Sequence, residues 1–490
     1  MKSYIVVLFF VLSLIMKIYP VNPVSFNDYF LDETMRIDYH HMGNSKEEAI
    51  SIDRIYRYGT WAGSLKNLLD EINAGKYSVK IYDLNSGSLI YSKGFDSYFG
   101  EYQTSENALA GIKKTYQESA LIPYPKNKIR FAIEKRDEKN QLQEIFGEEI
   151  DPNNVDIVRD KVLDSSVKVF RNKNNGDPHS CVDIAILGEG YTLKELDKFQ
   201  KDFEKFTNIF FNFEPYKSYK DKFNFYGVFK PSEESGVDEP RANIFKKTAL
   251  NATFNSLGSE RYLLTEDNKA VRDMAAHVPY DALMIMVNHS RYGGGGIYNL
   301  FSTFTTDNQW HEYLFLHEFG HSFSGLADEY YTSDVSYNDF FHTDVEPVEP
   351  NITALINNEP KWKNLLSDGI EIPTPWEKTQ FDSLDLKWQA KRRVLNNDVA
   401  ELKKNEAPKS EITKAQKEYD RMDKEHSNQV DEFLHNSKYW GKVGAFEGAG
   451  YQSRGLYRPM IDCLMFSKGK KPFCKVCEKA VIQMIKSYTE

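Results

Sequence analysis

LFLHEFGHSFSGLADEY, residues 314–330, places two histidines four residues apart with a glutamate directly after the first. The preceding TDNQWHEY contains no helix breaker and offers Asp307 or Asn308 as a cap, so the pattern predicts a helix running to about Gly320. On such a helix His317 and His321 share one face, and both imidazoles can reach a single ion. Glu318 is then placed to face an open coordination position and take a proton from water there. A catalytic site of this kind needs a third protein ligand. In the metzincin-type pattern H-E-x-x-H-x-x-G-x-x-H, a glycine ends the helix and a ligand follows three residues later. Gly325 lies one position beyond that template, and three residues on is Asp328; Ala327, where the strict spacing has histidine, cannot bind metal. Asp328 is the expected third ligand and Glu329 the alternative. Whichever does not ligate is expected to hold a ligating histidine or cap the turn.

Upstream, the texture is of alternating strands and helices. VDIAILGEGYT (182–192) reads as a buried strand ending in Gly-Glu-Gly, followed by an amphipathic helix over 194–211. NFYGVFKP (224–231) and DALMIMVNHS (281–290) read as further strands, the latter apolar enough for the middle of a sheet. Four glycines at 293–296 permit unusual backbone conformations, but no G-K-[ST] follows them, so a nucleotide loop is excluded.

Residues 26–152 differ. YSVKIYDLNSGSLIYSKGF (77–95) alternates around Asn85-Ser86-Gly87, and 127–146 repeats the design with a turn near Lys139-Asn140. A small β-sandwich with a short helix near 60–73 is expected, serving as a folding or accessory module. Residues 376–435 are dense in charge, with apolar positions spaced by three and four on either side of NEAPKS (405–410). That pattern predicts an antiparallel helical hairpin whose charges form a solvated face, or an arm for a partner.

With 490 residues, 41% hydrophobic and 27% charged, the chain is long enough for two or more packed domains. Its net charge of −10 and the absence of any basic stripe exclude a nucleic-acid partner. An apolar run from Tyr4 to Met16 is short for a bilayer span and precedes a polar, proline-containing stretch. Residues 1–25 therefore read as a secretory signal cut near Val24–Phe26, with an uncleaved N-terminal anchor as the alternative. No second long apolar run follows, and the mature chain is expected outside the cytosol with no transmembrane segment. Of the four cysteines, Cys463, Cys474 and Cys477 cluster near the C-terminus, where a disulfide is expected for an exported protein, with Cys181 standing apart.

GAFEGAGYQSRGLYRPMIDCLMF (444–466) ends in Cys463-Leu464-Met465. Metzincin-type folds place a methionine turn beneath the metal, and Met465 is the candidate; an ordinary buried methionine is the alternative. Tyr457 is a candidate for stabilising an oxyanion. HEFGHSFSGLADEY, EGAGYQSRGLYRPMIDCLM and FCKVC together resemble the IgA-peptidase family of metzincin-related zinc metallopeptidases, as do ILGEGYT and the β-rich module in front. The resemblance implies that His317, His321 and Asp328 bind one catalytic zinc ion and that Glu318 is catalytic. It does not transfer a substrate, since cleavage of immunoglobulin A belongs to particular members.

The fold expected is an α+β or α/β metzincin-like zinc peptidase domain over 153–490, a mixed sheet with a zinc-binding helix. It is preceded by the all-β sandwich-like domain and interrupted by the helical hairpin. The function expected is that of an exported zinc endopeptidase acting on protein or peptide, host glycoproteins among them. Its substrate would lie along an edge strand near Gly295–Phe304, where Ser302 and Thr303 offer polar contacts. Two other classes compete: a surface protein that binds glycan or protein with a degenerate hydrolase domain, and a zinc hydrolase of amidated glycans. In the acidic loop FFHTDVEPVEPN (340–351), Asp344 and Glu346 would hold a structural cation or simply be solvated.

Overall fold

VDIAILGE (Val182–Glu189) carries no charge apart from Asp183 and Glu189, and all eight residues are buried in one strand of a six-stranded sheet. The computed structural model describes residues 24–160, 163–332 and 341–490. The expected signal segment therefore lies outside the described residues apart from its last two positions, and so does Phe340 of the acidic loop.

The N-terminal strands are β1 (Phe30–Gly43), β2 (Glu48–Tyr58), β3 (Tyr77–Asp83), β4 (Leu89–Phe95), β5 (Lys114–Pro125), β6 (Ile129–Arg136) and β7 (Leu142–Ile150). They form two antiparallel sheets, β2-β1-β5 and β4-β3-β6-β7. Alternating residues of both sheets, among them Ile37, Tyr39, Ile81, Ile122 and Phe131, share one core. Both expected hairpins form. The helix expected near 60–73 does not. There Ser64 Oγ accepts the Lys66 and Asn67 N–H groups, and Asp70 Oδ1 accepts those of Ile72 and Asn73. These local bonds hold the backbone in turns and compete with a helical ladder. The helices of this region are one-turn pieces instead: α1 (Phe26–Tyr29), α2 (Tyr98–Tyr102) and α3 (Glu106–Leu109).

The second sheet contains β8 (Lys168–Asn174), β9 (Val182–Glu189), β10 (Phe223–Phe229), β11 (Ala282–Val287), β12 (Gly294–Ile297) and β13 (Phe301–Thr305), in the order β12-β13-β11-β9-β10-β8. The four inner strands are parallel, and both edges are antiparallel. Helix α4 (Leu196–Phe211) lays Phe199, Phe203, Phe206 and Phe210 on one face; α5 (Asn268–Ala275) covers the other. Helix α6 (His311–Ser324) packs beside α4, with Phe206 and Phe315 ring centroids 5.1 Å apart and Phe210 and Phe319 5.5 Å apart. The C-terminal part supplies the hairpin β14 (Phe446–Ala449) and β15 (Gln452–Arg458) and helix α9 (Lys475–Thr489).

The charged insertion is a pair of 27-residue helices, α7 (Lys378–Lys404) and α8 (Lys409–His435). Its charges are not all solvated. Asp385 and Arg392 of α7 and Asp423 of α8 are buried, with His426 Nε2 2.7 Å from Asp385 and Arg392 3.2 Å from Glu260. Trp310 Nε1 donates to Asp423 at 2.5 Å. The hairpin lies across a polar cleft, so its inward stripe carries charges where an ordinary core seam carries leucines. The N-terminal module is tied to the same body. Arg36 bridges Asp38 and, at 2.7 Å, Asp273, and the Asp96 N–H donates to Tyr298 O at 2.9 Å.

Beneath the sheet, the Asp183 N–H donates to Asp281 Oδ2 at 2.8 Å, leaving two carboxyls side by side with Asn224 Nδ2 on Asp183 Oδ1 at 2.8 Å. Burial pushes Asp183 up to about 7 and raises Asp281, whose carboxyl also feels the charge of Asp183. The folded chain thus keeps a proton that the unfolded chain releases near pH 4, so this pair makes stability fall as pH rises from about 4 through 7. Asp183→Asn is expected to reduce that fall by roughly 1–3 kcal/mol. Thermal melts of wild type and variant at about pH 5 and about pH 8 check this, and equal slopes would refute it.

Candidate active site

Asn308 Oδ1 accepts the Trp310 N–H at 2.7 Å, in the turn that leads into α6 at His311. Gly325, at φ +60°, ends it; its N–H reaches His321 O at 3.0 Å, and the Leu326 N–H reaches Gly320 O at 3.3 Å. This left-handed ending reverses the chain and returns Asp328 to the histidine face of the helix. Asp328 Oδ1 lies 3.1 Å from His317 Nε2 and 3.2 Å from His321 Nε2, and the two Nε2 atoms are 3.1 Å apart. A tetrahedral ion with bonds of roughly 2.0 Å has ligand–ligand edges of about 3.3 Å. The three atoms therefore outline one face of such a site, and these residues could hold a metal ion.

The remaining contacts aim those atoms. His317 Nδ1 is 3.1 Å from Leu464 O and His321 Nδ1 is 2.5 Å from Leu326 O. Each Nδ1–H donates to a carbonyl, which leaves the Nε2 lone pairs pointing at the common centre. Among the described residues no hydrogen-bond donor reaches the buried Asp328 Oδ1, while its Oδ2 accepts the Tyr451 hydroxyl. The Gly450 N–H to Asp328 O (2.9 Å) and the Tyr451 N–H to Tyr330 O (3.1 Å) tie the turn of the β14–β15 hairpin to this segment. Burial would lower His321, but the Asp328 charge outweighs it and raises the imidazole to about 9. Burial likewise opposes the Asp328 anion, yet His321 and His317 hold it well below the usual carboxylate range. Both shifts express the same demand for positive charge at the centre. Burial raises Glu318, with the two histidines moderating the effect.

Two glycines let strand β12 lie directly on α6. A Cβ at Gly294 would come within 3.0 Å of the Glu318 side chain, and one at Gly296 would sit 2.5 Å from Glu318 O. The expected edge strand is thus Gly294–Ile297. Ser302 and Thr303 lie on β13 instead, fully buried between β12 and β11, so they offer no contact at the edge. Met465 lies under the helix, its Sδ 3.1 Å from where a Gly320 Cβ would be, and its carbonyl accepts the Glu329 N–H at 2.8 Å.

The cavity above this centre has a volume of about 230 Å³. Glu318, Gly294–Gly296, Tyr330 and Tyr451 line it, together with Trp388, Arg392 and His426 of the hairpin and Asp96 and Glu101 of the N-terminal module. Tyr457 does not line it. That residue sits on β15, its backbone paired with Thr353 at 2.9–3.0 Å. Tyr451, six residues earlier in the glycine-rich EGAGYQSRG, lines the cavity instead and donates its hydroxyl to Asp328; its sequence signal is that glycine context. Asn351 went unnoticed as well. Its amide clamps the returning segment through Ala327 N and O (2.8 and 2.9 Å) and Glu329 Oε1 (3.1 Å).

Glu329 points away from the histidines and toward Cys463, Cys474 and Cys477. The expected disulfide is absent: all four cysteines are free, and the Cys463 and Cys477 sulfurs are 3.8 Å apart against about 2.05 Å for a bonded pair. Among the described residues Asp344 and Glu346 belong to no group able to hold a cation; Glu346 Oε1 instead lies 3.8 Å from Lys361 Nζ.

A family model described as IgA Peptidase M64 matches residues 171–485, and one described as Peptidase M64 N-terminus matches residues 25–147. The chain belongs to the IgA peptidase M64 family. A comparison with curated proteins finds no match. As an M64 member the protein is a peptidase, a hydrolase whose substrate is protein. No described helix is long and apolar enough to cross a membrane. The M64 match covers the helix α6, the returning turn and the cysteine cluster in one span.

The Tyr451 hydroxyl orients Asp328, so Tyr451→Phe is expected to weaken metal binding roughly tenfold while leaving the fold intact. Competition with a chromophoric chelator measures this; unchanged affinity would remove Tyr451 from the site.

Proposed function

We propose that this M64 peptidase is an exported zinc endopeptidase in which His317, His321 and Asp328 hold the ion and Glu318 is the general base. The convergence of two Nε2 atoms and Asp328 Oδ1 within 3.1–3.2 Å, each imidazole already oriented from behind, supports this reading most strongly. The donor set of two neutral imidazoles and one carboxylate suits zinc. A zinc ion bound there supplies Lewis acidity and a water acidic enough to deprotonate near neutral pH.

Glu318 follows His317 on the same helical turn and faces the cavity floor, where it takes the proton of the attacking water and passes it to the leaving amine. Burial raises its pKa, and this favours holding the proton between the two steps. Edge strand β12 aligns the substrate backbone by strand addition. Its outer edge at Gly294 is already used by Arg261 O (3.3 Å) and the Leu263 N–H (3.1 Å), so by the two-residue alternation Gly296 presents the next backbone groups to substrate. Asp96, Glu101 and Arg392 around the rim act on the residues flanking the scissile bond, and Trp388 gives the cleft an apolar wall. Met465 and Leu464 position the helix and His317 from below, without touching substrate.

Glu318→Ala is expected to lose at least about 100-fold in casein cleavage with metal content unchanged. Full activity in that variant would overturn the assignment. Gly296→Ala forces β12 off the helix and is expected to cut kcat/KM roughly 100-fold, again with the metal retained; wild-type kinetics would show that β12 does not guide the substrate.

A further inference from the structure

Three thiols and a carboxylate are packed together behind the active site, and the mechanism uses none of them. Cys463, Cys474 and Cys477 and the carboxylate of Glu329 present ligand atoms that all lie within 4.8 Å of one another. Cys463 Sγ and Cys477 Sγ are 3.8 Å apart, and Glu329 Oε1 is 3.1 Å from Cys477 Sγ and 3.8 Å from Cys474 Sγ. Around a tetrahedral zinc ion with Zn–S bonds of roughly 2.3 Å and a Zn–O bond of roughly 2.0 Å, sulfur–sulfur edges are about 3.8 Å and sulfur–oxygen edges about 3.5 Å. The Cys463–Cys477 edge has that length, the two sulfur–oxygen edges at 3.1 and 3.8 Å bracket theirs, and the remaining edges lie within 4.8 Å.

We propose that Glu329, Cys463, Cys474 and Cys477 form a second, structural metal site, closed and four-coordinate, that takes zinc or another thiophilic divalent cation.

Three observations independent of the spacing support it. Glu329 is fully buried, and among the described residues its Oε2 has no hydrogen-bond partner, although unpaired buried carboxylate oxygens are costly. Backbone N–H groups already point at the sulfurs: Cys474 N to Cys463 Sγ at 3.1 Å, Met465 N to Cys463 Sγ at 3.4 Å and Cys477 N to Cys474 Sγ at 3.4 Å. Donors aimed at sulfur favour thiolate, and Cys474 also caps α9, where the helix dipole favours an anion. Finally, all four residues are at most 3% exposed, so there is no open position for substrate or solvent. That distinguishes a structural site from a catalytic one. Thiolate ligands select zinc-like ions over magnesium or calcium. On binding, the three thiols release their protons to solvent while the ion takes one electron pair from each sulfur and one from the carboxylate. No oxidant is needed, unlike a disulfide.

The site explains why two adjacent carboxylates are present. Asp328 faces the histidines, and Glu329 faces the cysteines. The second ion joins the returning segment 327–329, the methionine turn at 463–465 and the start of α9 at one point. It thereby fixes the Leu464 carbonyl behind His317 and the backbone of Asp328.

The test compares full-length wild type, the His317→Ala/His321→Ala double variant and Cys474→Ser by elemental analysis, with peptide mapping of the unreduced protein. The proposal expects one ion per chain retained in the double histidine variant, and three free thiols in the cluster. Cobalt(II) substituted into that same variant is expected to show thiolate-to-cobalt charge-transfer absorption, a readout that survives even if Cys474→Ser fails to fold. Retention of an ion with that absorption supports the proposal whatever the histidine site binds. A metal-free double variant, cobalt without the charge-transfer band, or a disulfide among Cys463, Cys474 and Cys477 would overturn it.

Discussion

Two imidazole nitrogens and a carboxylate oxygen sit within 3.2 Å of one another in the interior of this protein, and among the described residues that oxygen, Asp328 Oδ1, has no hydrogen-bond donor while Tyr451 serves Oδ2. With both histidines neutral and tied at Nδ1, only lone pairs would face Asp328, so the arrangement calls for a positive charge at its centre, whether a proton on His321 or a bound cation. The surrounding structure supplies the constraint that holds it. Gly325 turns the chain back, Asn351 clamps the returning strand, and the Leu464 and Leu326 carbonyls fix the rings. The raised His321 and lowered Asp328 express the same preference for positive charge at this point, and the three residues could hold a metal ion there.

The same economy of space shapes the cleft. Strand β12 can touch α6 because Gly294 and Gly296 have no Cβ, and this contact places a sheet edge within reach of Glu318. The hairpin α7–α8 and the N-terminal module both contribute to the rim, which ties residues distant in sequence to one cavity. Of the hairpin's inward charges, Arg392 and Asp423 pair with Glu260 and Lys468 outside it, and Asp385 pairs with His426 between its two helices, so none is left to solvent. Accessory segments of this chain are thus parts of the cleft wall.

The sequence made the local elements with strong periodicity legible: β9, α4, β11, the two N-terminal hairpins and the helical insertion all follow from spacing and turn residues. The H-E-x-x-H spacing brought His317, Glu318 and His321 together because four residues are one turn of a helix. Less local relations were hidden. Whether Asp328 or Glu329 turns inward depends on the φ of Gly325 and on Asn351, 22 residues beyond Glu329. Tyr451 reaches Asp328 only because β14 and β15 fold back over the site, while Tyr457 faces elsewhere on the same hairpin. The cysteines invited a disulfide reading from compartment alone, and spacing could not reveal that Glu329 would join them. A helix near 60–73 failed because Ser64 and Asp70 capture the backbone first.

Anomalous diffraction from crystals of the full chain, recorded on both sides of the zinc absorption edge, would locate the ion. The expected result is a zinc peak equidistant from His317 Nε2, His321 Nε2 and Asp328 Oδ1, within bonding distance of all three. A peak that Glu329 ligates in place of Asp328, or histidines with no metal between them in a protein that cleaves its substrate, would contradict it.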